Sequence, residues 1–152
     1  MFRMIVARLL ALLALLAAPT ATLAQDTTAS ELQGSMVQMF SEGDIIIFNQ
    51  RGDGNSDGPN DWYMARQVTS AQATGACFLQ LNTTTLEATP GINVAPGYAI
   101  DWSQVSEVDY DENFVTFKAA HMADDEYGAL IVSSPELAEM LWAVFDYMME
   151  AC

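Results

Sequence analysis

The residues best spaced to do chemistry form one short run, Asp53-Gly-Asn-Ser-Asp-Gly-Pro-Asn-Asp61. Asp53, Asn55 and Asp57 stand at positions 1, 3 and 5 of a calcium-loop pattern, Gly58 at position 6 and Asp61 at position 9. Alternate oxygen-bearing side chains can converge on a hard cation, and the glycine permits the sharp turn between them. Position 12 is Met64, so the bidentate carboxylate is missing. The spacing predicts a weak calcium site. The competing reading is a hairpin loop enriched in turn formers. No other cofactor is expected.

Cys77 and Cys152 are the only cysteines of the chain. Cys77 alternates with Leu79 and Leu81 on a strand-like segment, and Cys152 lies one turn beyond Met148 on the apolar stripe of a helical segment. Both thiols point to one core, which predicts a disulfide closing a loop of about 75 residues. There is no CxxC, and the single His121 has no evident link to either thiol. One His and two oxidised cysteines make a poor zinc set. Asp109, Asp111, Glu112, Asp124, Asp125 and Glu126 could supply paired carboxylates for acid–base work, but they fall in polar turns where nothing raises a pKa. No GxSxG is present. Trp62, Tyr63, Tyr98 and Trp102 form a candidate aromatic platform for a sugar or peptide, with core packing as the alternative.

Charge limits the partners. The full chain carries a formal net charge of −15. Such a chain repels phosphate backbones and has no basic patch to hold them, so nucleic acid is not expected as a partner and anionic membrane surfaces are poor ones. Cations and basic proteins remain. The N-terminus carries a second message. Arg3 and Arg8 precede an apolar run from Leu9 to Ala18, Pro19 breaks it, and Thr22-Leu23-Ala24 offers a small-residue cleavage site before Gln25. The run is too short to span a bilayer, which takes about 20 residues. Residues 1–24 are therefore expected to be a signal peptide, with no stable membrane insertion after cleavage. Losing Arg3 and Arg8 with it makes the exported chain more acidic still. The expected location is the periplasm or the medium, where a cysteine pair is oxidised.

The elements that must position these residues follow from periodicity. Residues 25–29 read as a leader and 30–152 as one domain. Ser30-Glu31-Leu32-Gln33 reads as a capping box, with Leu32, Met36, Met39 and Phe40 as the stripe of a short helix and Gly43 as its C-cap. Strands are expected at 44–50, 62–69, 76–82 with an extension over 83–88, 98–102, 105–110, 114–119 and 127–132. Two Pro-Gly steps assign 89–97 to a loop. Ser133 and Glu136 read as a second capping box opening a C-terminal helix, with Leu137, Met140, Leu141, Val144, Phe145 and Met148 buried. The expected fold is α+β: about seven antiparallel strands in a curved or barrel-like sheet, a short N-terminal helix and a closing C-terminal helix.

Three resemblances follow from these segments. The 53–61 run resembles the first half of an EF-hand-type loop. Asp61-Trp62, the Gly75-Ala-Cys77-Phe-Leu-Gln80 strand, the β-rich middle and a final helix ending in Cys are similar to the invasion-associated locus B family, which implies a periplasmic or secreted β-rich domain without established catalytic residues. Ile100-Asp-Trp-Ser-Gln-Val105, the hairpin after it and Ser134-Pro-Glu136 resemble pleckstrin-homology-like domains. None of the three supplies a reaction. The functional expectation is an exported binding or structural module whose partner is an unknown protein or small ligand. A small secreted hydrolase using acidic residues and a weak calcium-binding extracellular module are the alternatives.

Overall fold

The computed structural model describes residues 28–42, 44–52 and 61–152. The expected signal peptide, the expected leader up to residue 27, Gly43 and the Asp53–Asn60 part of the candidate calcium loop lie outside the described residues. Among the described residues no helix is long and apolar enough to cross a membrane.

The fold is α+β. Helix α1 (Ala29–Glu42) leads into β1 (Ile46–Arg51), β2 (Trp62–Gly75), β3 (Phe78–Ala88) and β4 (Gly97–Asp101). A single 3-10 turn (Trp102–Gln104) joins β4 to β5 (Val105–Asp111), and β6 (Phe114–Ala119), β7 (Glu126–Ile131) and helix α2 (Pro135–Ala151) follow. The strands form one antiparallel sheet in the order β4-β3-β2-β1-β7-β6-β5, curled into a half-barrel. Consecutive strands β4 and β5 sit at opposite edges and do not pair with each other.

Alternation sets the two faces. Ile45, Ile47 and Asn49 are buried while Ile46, Phe48 and Gln50 are half-buried, so β1 shows a preferred face rather than equal burial on both. The inner face continues through Val68, Leu79, Leu81, Ile100, Val115, Phe117 and Leu130. Gly128 is required on this face: a Cβ there would stand 2.4 Å from the Phe117 ring, its cross-strand neighbour. Three register shifts along β2 and β3 let these long strands coil.

Helix α1 is capped two residues earlier than its sequence suggests. Thr28 Oγ1 accepts from Glu31 N–H (3.3 Å) while the Glu31 carboxylate accepts from Thr28 N–H (3.0 Å), so the box is Thr28 to Glu31. That frees Gln33, which turns inward and is fully buried. Met36 and Phe40 complete the buried stripe, and Leu32 and Met39 sit at its margin. In α2 the N-cap is Ser134, whose hydroxyl accepts from Leu137 N–H (3.3 Å). Its buried stripe is Ala138, Leu141, Phe145 and Met148. Met140 is 37% exposed, a correction to the expected stripe that follows from the helix being rolled toward Ala138.

One end of the half-barrel is closed by a hub. Gln33 Nε2 donates to Phe78 O (2.6 Å) and Gly75 O, and its Oε1 accepts from Trp102 Nε1 (2.8 Å). The Trp102 ring meets Phe145 edge-on with centroids 4.7 Å apart. Cys77 O accepts from Trp102 N–H (3.1 Å), and Cys77 is bonded to Cys152 with Cα atoms 5.8 Å apart. Cys77 belongs to the two-residue turn between β2 and β3, not to the strand itself. The disulfide thus fastens the last residue of the chain to the same hairpin that Gln33 holds.

Candidate binding groove along the free edge of β5

Among the described residues a concavity runs along β5, an edge strand that pairs with β6. It is a groove of ≈ 760 Å³. Ser106 to Asp109 of β5, Thr116 to Lys118 of β6, Tyr127 of β7, and Asp146 and Met149 of α2 line it. Helix α2 packs against β5 and β6. Trp142, Asp146 and Met149 recur at i, i+4 and i+7 along one flank of this helix. At the far end of β5, Tyr110 lies against Trp142 with ring centroids 5.2 Å apart.

The strand presents two chemically different faces to this groove. A bulge at Ser106 resets the alternation after Val105. Val108 and Tyr110 then share the α2 side, opposite Phe117 and Val115. Glu107, Asp109 and Asp111 are exposed on the other side, opposite Lys118, Thr116 and Phe114. Lys118 is the one cation of the lining, and its ammonium also donates to Asp124 O. Glu107, Asp109 and Asp146 outnumber it, so the groove is net negative.

Among the described residues no strand pairs with the outer side of β5. Asp109 Oδ1 accepts from Tyr110 N–H at 2.8 Å, so that amide faces the free edge and not β6. By the two-residue period, Val108 N–H points the same way. An unpaired strand edge of this kind is a template for another strand.

The residues singled out by type and spacing are scattered. Cys77 and Cys152 are joined. Trp102 is fully buried in the core and offers no ring face to a ligand. Tyr98 is partly buried on the inner face, whereas Tyr63 stacks on Phe48 (6.3 Å) and donates to Glu87 Oε1 (2.8 Å) on the outer one. Trp62 is half-buried where β2 begins, opposite Arg51. The four aromatics therefore do not form one platform. Asp61 carries its side chain over Gly52, a left-handed glycine (φ 66°) where a Cβ would stand 2.0 Å from the carboxylate. Asp53, Asn55 and Asp57 lie outside the described residues. Among the described residues no group of three or more His, Cys, Asp or Glu could hold a metal.

The acidic turns are solvated. Asp125 pairs with Arg51 (3.1 Å), Glu126 accepts from Ala123 N–H (3.3 Å), and His121 is exposed. The buried polar residues among those described are Gln33, Asn49, Arg66 and Thr89.

Arg66 was invisible to motif reading. It is 4% exposed, with its guanidinium over the Tyr98 ring (4.6 Å) and Nη2 donating to Asn49 Oδ1. Asn49 Nδ2 donates in turn to the Tyr98 hydroxyl (3.4 Å), and Arg66 Nε has no partner. Burial pushes the Tyr98 hydroxyl above its ordinary range and holds Arg66 below its own. The signal for it was simple: Arg66 shares its face with Val68, two residues on, which alternation places inside. A void of ≈ 10 Å³ borders Tyr98, room for one water and not for an organic ligand.

No protein-family model matches this chain, and no curated protein or solved structure does. The resemblances drawn from its residue patterns rest on those patterns alone.

Proposed function

We propose that this protein is an exported binding module that takes an extended segment of a partner along the free edge of β5. The observation that carries the reading is the free edge itself, lying in a groove against the flank of α2. Strand addition needs outward amides and carbonyls for affinity and alternate side-chain positions for selectivity. The outward amides of Val108 and Tyr110 and the apolar margin of Val108, Trp142 and Met149 meet both needs. Export is supported by the tripartite N-terminus and agrees with a cysteine pair joined at the closing hub. Intact mass of protein from the exported fraction should lack residues 1–24, and a full-length mass in a membrane pellet would reject cleavage and release.

A random linear peptide library panned on the oxidised protein, followed by amide-shift mapping, tests the binding reading. Selected peptides should perturb Ser106–Asp111 and the Trp142–Met149 flank. The Val108→Pro variant, which removes an outward N–H while keeping an edge-strand backbone, should fold and lose them. Peptides that map elsewhere, or that bind Val108→Pro equally well, would reject the β5 edge as the site.

A further inference from the structure

We infer that the segment β5 accepts alternates basic and apolar residues, and that Asp109 is the residue that selects it. This rests on the β5 reading above and adds the chemistry of the partner. A strand added to β5 repeats its two-residue period, so successive side chains fall on opposite faces. On one face they stand beside Val108 and Tyr110, near Met149 and Trp142 of α2, where apolar side chains fit. On the other face they stand across from Glu107, Asp109 and Asp111.

Those three carboxylates are not equivalent. Lys118 stands across from Glu107 on β6 with its ammonium on Asp124 O, whereas Asp109 faces Thr116 and Asp111 faces Phe114. Asp109 and Asp111 therefore lack a cation on the β6 side, and an incoming strand is the one neighbour that can bring it. Opposite charges at directly paired positions attract and like charges repel, so a basic residue is accepted and an acidic one refused. The net charge of −15 extends the same preference to long range and discourages a second copy of the chain from docking by its own acidic edge.

Asp109 has a second part. Its carboxylate covers Tyr110 N–H, one of the two amides an added strand would use. In the free protein this covers one of the two outward amides and leaves that of Val108. A Lys or Arg placed across from Asp109 offers the carboxylate a charged partner and releases the amide to the new strand. A neutral residue at that position leaves the amide covered. The Tyr110 amide therefore opens to a basic segment and stays covered to others.

The test uses three labelled heptapeptides: alternating Lys and Val, alternating Gln and Val, and the Lys-Val composition rearranged into one basic and one apolar block. Anisotropy on the oxidised protein should show the Lys-Val peptide binding on the order of tenfold more tightly than either of the others. The preference over Gln-Val should shrink at high salt. Asp109→Asn keeps an oxygen on Tyr110 N–H and removes the charge, so it should bind Lys-Val and Gln-Val alike. Equal binding of Lys-Val and Gln-Val at β5 in the unaltered protein would overturn this inference and leave the β5 site standing. Equal binding of the alternating and blocked peptides would show bulk attraction to an acidic chain and overturn it as well. No binding of any peptide, with library peptides also failing at β5, would remove both.

Discussion

Gln33→Met tests whether one buried amide organises the closed end of the half-barrel. Methionine keeps the length and approximate volume of glutamine, so no large cavity opens and the cost is that of lost hydrogen bonds. Trp102 is fully buried and its Nε1–H donates to Gln33 Oε1; without it that donor is stranded, at about 1–3 kcal/mol. Gly75 O and Phe78 O are only part-buried, so each loses about 1 kcal/mol. The expected loss is about 3–5 kcal/mol, a large share of the roughly 5–15 kcal/mol of an ordinary domain. Urea denaturation of the oxidised protein should show a lower midpoint with an unchanged slope. In a Trp102→Phe background the same substitution should cost about 1–3 kcal/mol less, because the indole N–H is already gone. A loss below about 1 kcal/mol, or the same loss in both backgrounds, would refute the hub.

Replacing Cys77 and Cys152 by serine should remove at most about 4–5 kcal/mol on the chain-entropy model for this loop, and reductant should bring the unaltered protein to the same melting temperature; coincident oxidised and reduced melts would deny the crosslink any stabilising part. Tyr98 has a raised folded-state pKa through burial, so its contribution is complete below the unfolded value near 10 and is lost as pH rises through the folded value. Stability should therefore fall above about pH 10, and less steeply in Tyr98→Phe, as read by chemical melts across that range; parallel curves would assign the alkaline loss to other groups. The spacing of the 53–61 run predicts that millimolar calcium raises the melting temperature more than magnesium or sodium and that Asp57→Ala abolishes the difference, whereas an equal rise with all three cations would mean screening of the acidic chain.

The periodic elements were legible and the polar ones were not. Strand β6 and the position of α2 follow directly from alternation and from an apolar stripe. Strand β2 runs to Gly75, past the polar Gln72 and Thr74, because its partner β3 and helix α1 supply neighbours that no local window contains. The caps slipped by one or two residues because Thr28, Ser30, Ser133 and Ser134 are all competent caps, and only tertiary packing decides between them. That slip matters for Gln33. Read as half of a capping box it is a surface residue; with the box two residues earlier it is the buried clasp of the core. The Trp102 partner was out of reach of any local reading because Gln33 lies 69 residues away. The groove was missed because an edge strand looks like any other strand until the pairing order is known.

The open side of the half-barrel has a physical cause. Full closure would need β4 and β5 to pair, yet only Trp102–Gln104 separates them, and that segment coils into a 3-10 turn whose tryptophan is drawn into the core by Gln33 and Phe145. The turn sends β5 away from β4, so both remain edges. The two edges are guarded differently. Strand β4 is five residues long and preceded by Pro96, which limits what can dock there. Strand β5 is seven residues long and guarded by carboxylates at Glu107, Asp109 and Asp111. Charge is a conditional guard: it repels strands of like sign and admits those of opposite sign. A guard meant only against aggregation would work with any charge, and Asp109→Asn would then raise self-association without altering peptide choice. Loss of the basic preference with the protein still monomeric is the outcome that separates recognition from protection.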